Sequence, residues 1–128
     1  ENAKRIVREL RAKVTKDVTI SAHHELLTPD HLLGWLASNT ANLFTYYPNP
    51  HSGISSSVDW AIAAGRPFAV SPSGLFKHLH HLPIVIGYTL LKDIVKDGDR
   101  WAKELQAAWS EENFVIAFYN AIGEMPNV

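Results

Sequence analysis

The sequence predicts an α/β fold: a three-layer α/β/α arrangement around a mainly parallel sheet, in one domain spanning residues 1–128. Three observations predict it. Helical and strand patterns follow one another in the order α-β-α-β-α-β-α-β-α-α, and strict alternation builds a parallel sheet with helices on both faces. Start and stop residues punctuate these patterns, with Thr28-Pro29 and Ser110 at helix starts and Gly65 and Gly123 at helix ends. Apolar residues make up 46% of the 128, enough to bury one core at a length that fits one domain.

Each element has a local reason. Ile6, Leu10 and Val14 recur every four residues with Lys and Arg between them, which predicts an amphipathic helix over 2–14. "DVTISA" (17–22) alternates and is β-branched, which predicts a strand. Thr28 as cap, Pro29 at the first helical position and Asp30 against the dipole start the next helix, whose buried face is Leu32, Leu33, Leu36 and Ala37. "NLFTYY" (42–47) is a strand that Pro48, Asn49 and Pro50 break into a loop. A helix over 55–64 carries Val58, Ala61 and Ile62 inward and ends at Gly65. "PFAVS" (67–71) and "PIVI" (83–86) are the last strands, with a short helix or turn at "SGLFKHLHHL" between them. A helical piece over 90–95 stops at Asp97-Gly98. A helix over 99–109 follows, then a final one capped by Ser110 with Phe114, Phe118 and Ile122 facing the core.

Composition excludes several functions. The formal charge is −1 and the pI about 6.7, so the basic footprint of a nucleic-acid binder is missing. With no cysteine, disulfides and thiolate metal sites are ruled out, and a cytoplasmic setting is expected. No apolar run reaches the length of a transmembrane segment. The first residue is Glu1, so a piece of a longer protein is expected.

Ligands of parallel sheets sit beyond the carboxyl ends of the strands. That directs attention to the loops at 22–28, 48–55, 71–75 and 87–89. The second runs through Gly53 and Ile54 into the helix start at Ser55, Ser56 and Ser57. Unpaired backbone N–H groups and the positive end of the dipole suit an anion there, and the hydroxyls can add donors. A plain serine cap with two solvated neighbours explains the same residues. Asp59, about one turn in, leans back toward the ligand edge. It is either a surface acid stabilising the dipole or an acceptor for a ribose diol.

The run "GISSSVDWAIAAGRPFAVS" resembles the carboxyl-terminal nucleotide-sugar domain of GT-B-fold glycosyltransferases, in which a glycine loop and an acidic residue precede a small-residue helix ending Gly-Lys/Arg-Pro. The resemblance extends over most of the chain and is strongest within 42–71. It implies a Rossmann-like domain, an incomplete half of a GT-B fold, that binds a nucleotide-diphospho-sugar for transfer to a saccharide or other acceptor. It implies that Gly53, Ile54, Ser55 and Ser56 meet the donor phosphates and that Asp59 accepts from the ribose hydroxyls. By the same resemblance His23, or His24, approaches base, sugar or phosphate, and Ser73, within Ser71–Gly74, closes the far side of the pocket. The donor is a substrate, and no cofactor is implied. The resemblance implies that the chain is the later part of one domain of a two-domain enzyme, with the acceptor-binding amino-terminal domain and the family's basic diphosphate grip lying outside residues 1–128. The family's first Glu falls at His51 or Ser52, neither a carboxylate. No catalytic residue is therefore assigned, and a non-catalytic α/β ligand-binding or interaction domain that keeps the fold is the alternative.

Other chemistry finds little support. His23-His24 and His78-x-His80-His81 match no defined metal spacing, so no metal is expected and these read as polar residues at strand ends. "SPSG" and "HSGIS" are not a nucleophile elbow. Trp60, Trp101 and Trp109 read as packing residues, and Trp35 as packing or a saccharide platform. The clustered acids and late lysine of a receiver domain are not evident.

Overall fold

A computed structural model describes residues 2–23, 25–47 and 53–123. The helices are α1 (Asn2–Arg11), α2 (Pro29–Ser38), α3 (Ser57–Ala64), α4 (Leu91–Ala108) and α5 (Glu111–Ile122), with a 3-10 helix over Gly74–Leu79. The strands are β1 (Asn42–Phe44) and β2 (Phe68–Val70). They pair in parallel, Asn42 with Phe68, Leu43 with Ala69 and Phe44 with Val70. The protein is thus α/β, built on a small parallel sheet whose two strands are joined through α3.

Local chemistry sets the helix ends. The Thr28 side chain accepts from the His31 N–H at 3.4 Å, and Pro29 needs no donor partner at the first helical position. Gly65 takes the left-handed conformation, φ 64°, and its N–H closes α3 on the Ile62 carbonyl, a conformation that costs glycine least. Arg66 then donates its Nε to the Ala37 carbonyl at 2.7 Å, tying the turn after α3 to the end of α2. Asn42 is buried at the start of β1. It is satisfied there, donating to the Leu36 carbonyl at 3.1 Å and accepting from Asn39, as a buried amide must be.

The core lies where α3, β2, the 3-10 helix and α4 meet. Val58, Phe68, Val70, Phe76, Leu79 and Val85 have essentially no exposed surface. Each such side chain contributes about 1.5–3 kcal/mol by leaving water.

Four expected elements differ. Residues 17–22 form no strand, and Val18 is exposed. A β-branched segment becomes a strand only when a neighbour takes its polar groups. Here the Ile20 carbonyl accepts from the Arg11 guanidinium instead. The 83–86 strand is reduced to a parallel bridge between Val85 and Val70, with Val70 N–H donating to Ile84 O and Ile86 N–H to Val70 O. The stop at Asp97-Gly98 is absent, since α4 runs through it as one helix of 18 residues. Gly98 is a packing glycine. A Cβ there would strike the Pro67 Cβ and lie 2.8 Å from the Pro67 Cα. Finally, Phe114, Phe118 and Ile122 do not face the core. All three are at least half exposed, and Phe114 and Phe118 stack on each other along α5. Neither α5 nor α1 packs extensively on another described element. Among the described residues no helix is long and apolar enough to cross a membrane.

Gly98 carries a test of this packing. Gly98→Ala gains about 1 kcal/mol of helix propensity but forces α4 off Pro67, an overpacking cost of about 1–3 kcal/mol. A lower urea midpoint at unchanged slope is expected. A stabilised variant would show that α4 stands clear of β2.

Candidate functional site

Backbone pairing in the sheet ends on the row Phe44–Val70–Val85, and serine side chains take over beyond it. Ser71 N–H still reaches the Phe44 carbonyl at 2.9 Å. Ser71 Oγ then accepts from the Tyr46 N–H and donates to the Tyr46 carbonyl, both at 2.9 Å. Ser73 Oγ donates to the Tyr47 carbonyl at 3.0 Å. The loop that follows β1 is therefore held against the loop that follows β2. The approach to α3 joins them, with Ser55 N–H donating to the Leu75 carbonyl at 3.1 Å. Three loops meet at the carboxyl edge of the strands, the usual ligand edge of a parallel sheet.

The three serines of the α3 start have different roles. The cap position is Ser56, which makes no side-chain capping bond. Ser55 acts from one residue earlier. Its Oγ accepts from the Ser57 N–H at 3.3 Å and lies 2.7 Å from Ser57 Oγ. Ser55 and Ser57 thus satisfy each other, while Ser56 stays exposed. Gly53 and Ile54 are exposed as well, and a Cβ at Gly53 would meet nothing within 4 Å. The space before α3 is open, at the positive end of its dipole. Ser73 is fully buried, and its hydroxyl is committed to Tyr47 and to the Leu75 N–H. Its contribution to the edge is to hold the loops together.

Asp59 lies in the first turn of α3, where its N–H donates to the Ser56 carbonyl. Its side chain lines a shallow pocket of about 360 Å³ between α3 and the end of α4, with Ile62, Ala63, Gln106 and Trp109. Gln106 Nε2 donates to the Ile62 carbonyl at 2.7 Å, which brings α4 close enough to form that groove. The carboxylate therefore lies alongside α3, where the sequence led us to expect it leaning toward the strand edge. His78 stacks on Trp109 with ring centroids 6.0 Å apart, and its Nδ1 is buried without a partner. Burial holds the His78 pKa below the ordinary 6.5, Asp59 pulls it back up, and His80, His81 and Lys77 push it further down.

His23 belongs to another place. It meets Trp35 edge-on at 6.3 Å and lines an apolar pocket of about 430 Å³ with Leu26, Leu27 and Leu32. No residue of 53–59 lines that pocket. His24 and the loop residues 48–52, with the expected His51 or Ser52 position, lie outside the described residues. Among the described residues no group of three or more His, Asp or Glu is placed to hold a metal ion.

Sequence reasoning placed Ser71 at the strand end without its bonds to Tyr46, and passed over the His78–Trp109 stack. The stack joins distant segments and has no local signal. Comparison of the chain with protein-family models, with curated proteins and with solved structures gives no match.

A folded-state pKa below 6.5 makes the stability contribution of His78 complete above pH 6.5 and lost as pH falls through the folded value. By NMR titration the His78 ring should show a midpoint below 6.5, and Asp59→Asn should lower it further. A rise in the variant would place the carboxylate away from His78.

Proposed function

We propose that the carboxyl edge of β1 and β2 binds the diphosphate of a nucleotide-diphospho-sugar, and that the chain is the donor-binding domain of a glycosyltransferase. One observation carries this reading. The start of α3, with an open approach over Gly53 to Ser56, is gathered by Ser55, Ser71 and Ser73 at the ligand edge of a parallel sheet. The charge that develops on a departing diphosphate is stabilised by fixed donors and a helix dipole of this kind. In this reading the phosphates meet Gly53, Ile54 and Ser56, and the ribose follows the first turn of α3 toward Asp59. The three-layer Rossmann-like arrangement, the cytoplasmic setting, the saccharide or other acceptor and an amino-terminal partner half belong to the same proposal.

A specific observation favours a second reading, a non-catalytic α/β ligand-binding domain. The described edge residues 45–47, 53–57, 71–75 and 87–89 include no carboxylate, and His51 and Ser52 supply none. Binding of the donor without any transfer or hydrolysis of its sugar selects this second reading.

Titration of the ¹⁵N-labelled chain with uridine or adenosine diphosphate should shift the amides of Gly53 to Ser57. Gly53→Val fills the approach, because nothing else occupies it. The variant should raise the diphosphate Kd about ten-fold or more while leaving the melting temperature unchanged. Amide shifts confined to other segments would contradict the proposal.

A further inference from the structure

We infer that the chain forms a two-fold dimer in which α1 of each copy packs antiparallel on α5 of the other. Both helices lack a cover. α1 and α5 pack extensively on no other described element, including each other. Each nonetheless carries an apolar row. Ile6 and Leu10 are nearly half exposed on α1, and the Val14 N–H on the Leu10 carbonyl carries that row one turn further. On α5, Phe114, Phe118 and Ile122 are at least half exposed, and the Phe114 and Phe118 rings stack into one ridge. Val115 and Ile116 are exposed beside them. A helix with this much apolar surface is covered in a stable protein, and a contiguous exposed patch marks an interaction site.

Charge decides what covers them. The first turn of α1 holds no acid, and its last turn holds Arg8 and Arg11. α5 is the reverse, with Glu111 and Glu112 in its first turn and no base in its last. Two α1 helices side by side set cation on cation in either direction. Arg8 and Arg11 meet their own copies when the helices are parallel, and Lys4 and Arg5 when they are antiparallel. Two α5 helices set acid on acid when parallel, and leave both acidic ends without a cation when antiparallel. An α1 antiparallel to an α5 sets the last turn of the first against the first turn of the second. Arg11, with Lys13 just beyond it, then meets Glu111 and Glu112. Unlike charges around a contact select this arrangement, and like charges reject the others.

The same direction matches the apolar rows. Both step by four residues, so in reverse order Val14 faces Phe114, Leu10 faces Phe118 and Ile6 faces Ile122, ridge against groove. Because α1 and α5 of one copy do not pack on each other, the pairing is made between copies. Each copy gives α1 to its partner's α5 and receives the partner's α1 on its own α5. Such a contact is isologous and closes at two copies. It is then made twice, which helices this short need in order to approach the about 1,200–2,000 Å² of a stable interface.

The test uses the 128-residue chain, which has no cysteine of its own. Light scattering at the concentrations used for NMR should give twice the chain mass of 14.3 kDa. Leu10→Cys and Phe118→Cys are made as separate single variants, mixed and oxidised. The mixture should form a disulfide between one chain of each kind, because the two positions face each other at the middle of the contact. Each variant oxidised alone should stay a single chain. Lys13→Glu should raise the dimer Kd about ten-fold, since the contact is made twice, and adding Glu111→Lys should restore it. A monomeric parent chain, or a mixture that does not cross-link, overturns the dimer. A disulfide formed by either variant with itself overturns it in favour of α1 on α1 or α5 on α5. A Leu10→Cys, Phe118→Cys double variant that closes its disulfide within one chain overturns it in favour of a single-copy pairing.

Discussion

Val70 is the residue on which the arrangement turns. It has no exposed surface and pairs with Phe44 on one side and Val85 on the other. Its N–H and carbonyl are both used, by Ile84 and Ile86. A three-residue strand offers few ladder bonds, and the sheet holds because the strand is enclosed. α3 and α4 bury it from the sides, and Phe76 and Leu79 are buried with it in one cluster. Where the ladder stops, Ser71 and Ser73 replace backbone pairing with side-chain pairing. Without them the loops beyond the row would have no fixed relation to one another. The position of the α3 start depends on that relation through Ser55 and Leu75.

The contact of Gly98 with Pro67 has a consequence at the other end of α4. It sets the helix close to the start of β2, and the helix then passes α3 near enough for Gln106 to bond the Ile62 carbonyl. Trp109 follows one turn later and stacks on His78. Asp59 meets this pair along the side of α3. The direction of the carboxylate thus follows from a glycine thirty-nine residues away in sequence. Two regions of different chemistry lie on either side of the α3 start: an open, uncharged edge rich in hydroxyls, and a groove holding a carboxylate near the His78–Trp109 stack.

Much of this was legible in the residues, and the divide is physical. Thr28-Pro29, Gly65 and Ser110 act within one turn of themselves, so their capping roles are written locally. The alternation of patterns carried the α/β class and the parallel pairing of β1 with β2. The segment 17–22 and the row Phe114, Phe118 and Ile122 have the right periodicity, but periodicity only states what a segment can bury. Whether it does so depends on a neighbour, and no described element covers them. Gly98 reads as a stop because propensity is local, while its actual role is a contact with Pro67. At the candidate site, Gly53 to Ser56 lie between β1 and α3 as the alternation of patterns implies, but the division of labour among the serines rests on bonds of 2.7–3.3 Å that the run of hydroxyls does not reveal.

Amide hydrogen exchange with and without a nucleotide-diphospho-sugar tests the central claim most directly, because it reads every loop at once. Slowed exchange in 53–57, 71–75 and 87–89 together, with α1 unchanged, is the predicted result. Slowing confined to the groove, or to none of the three loops, would contradict a ligand edge at the carboxyl ends of β1 and β2.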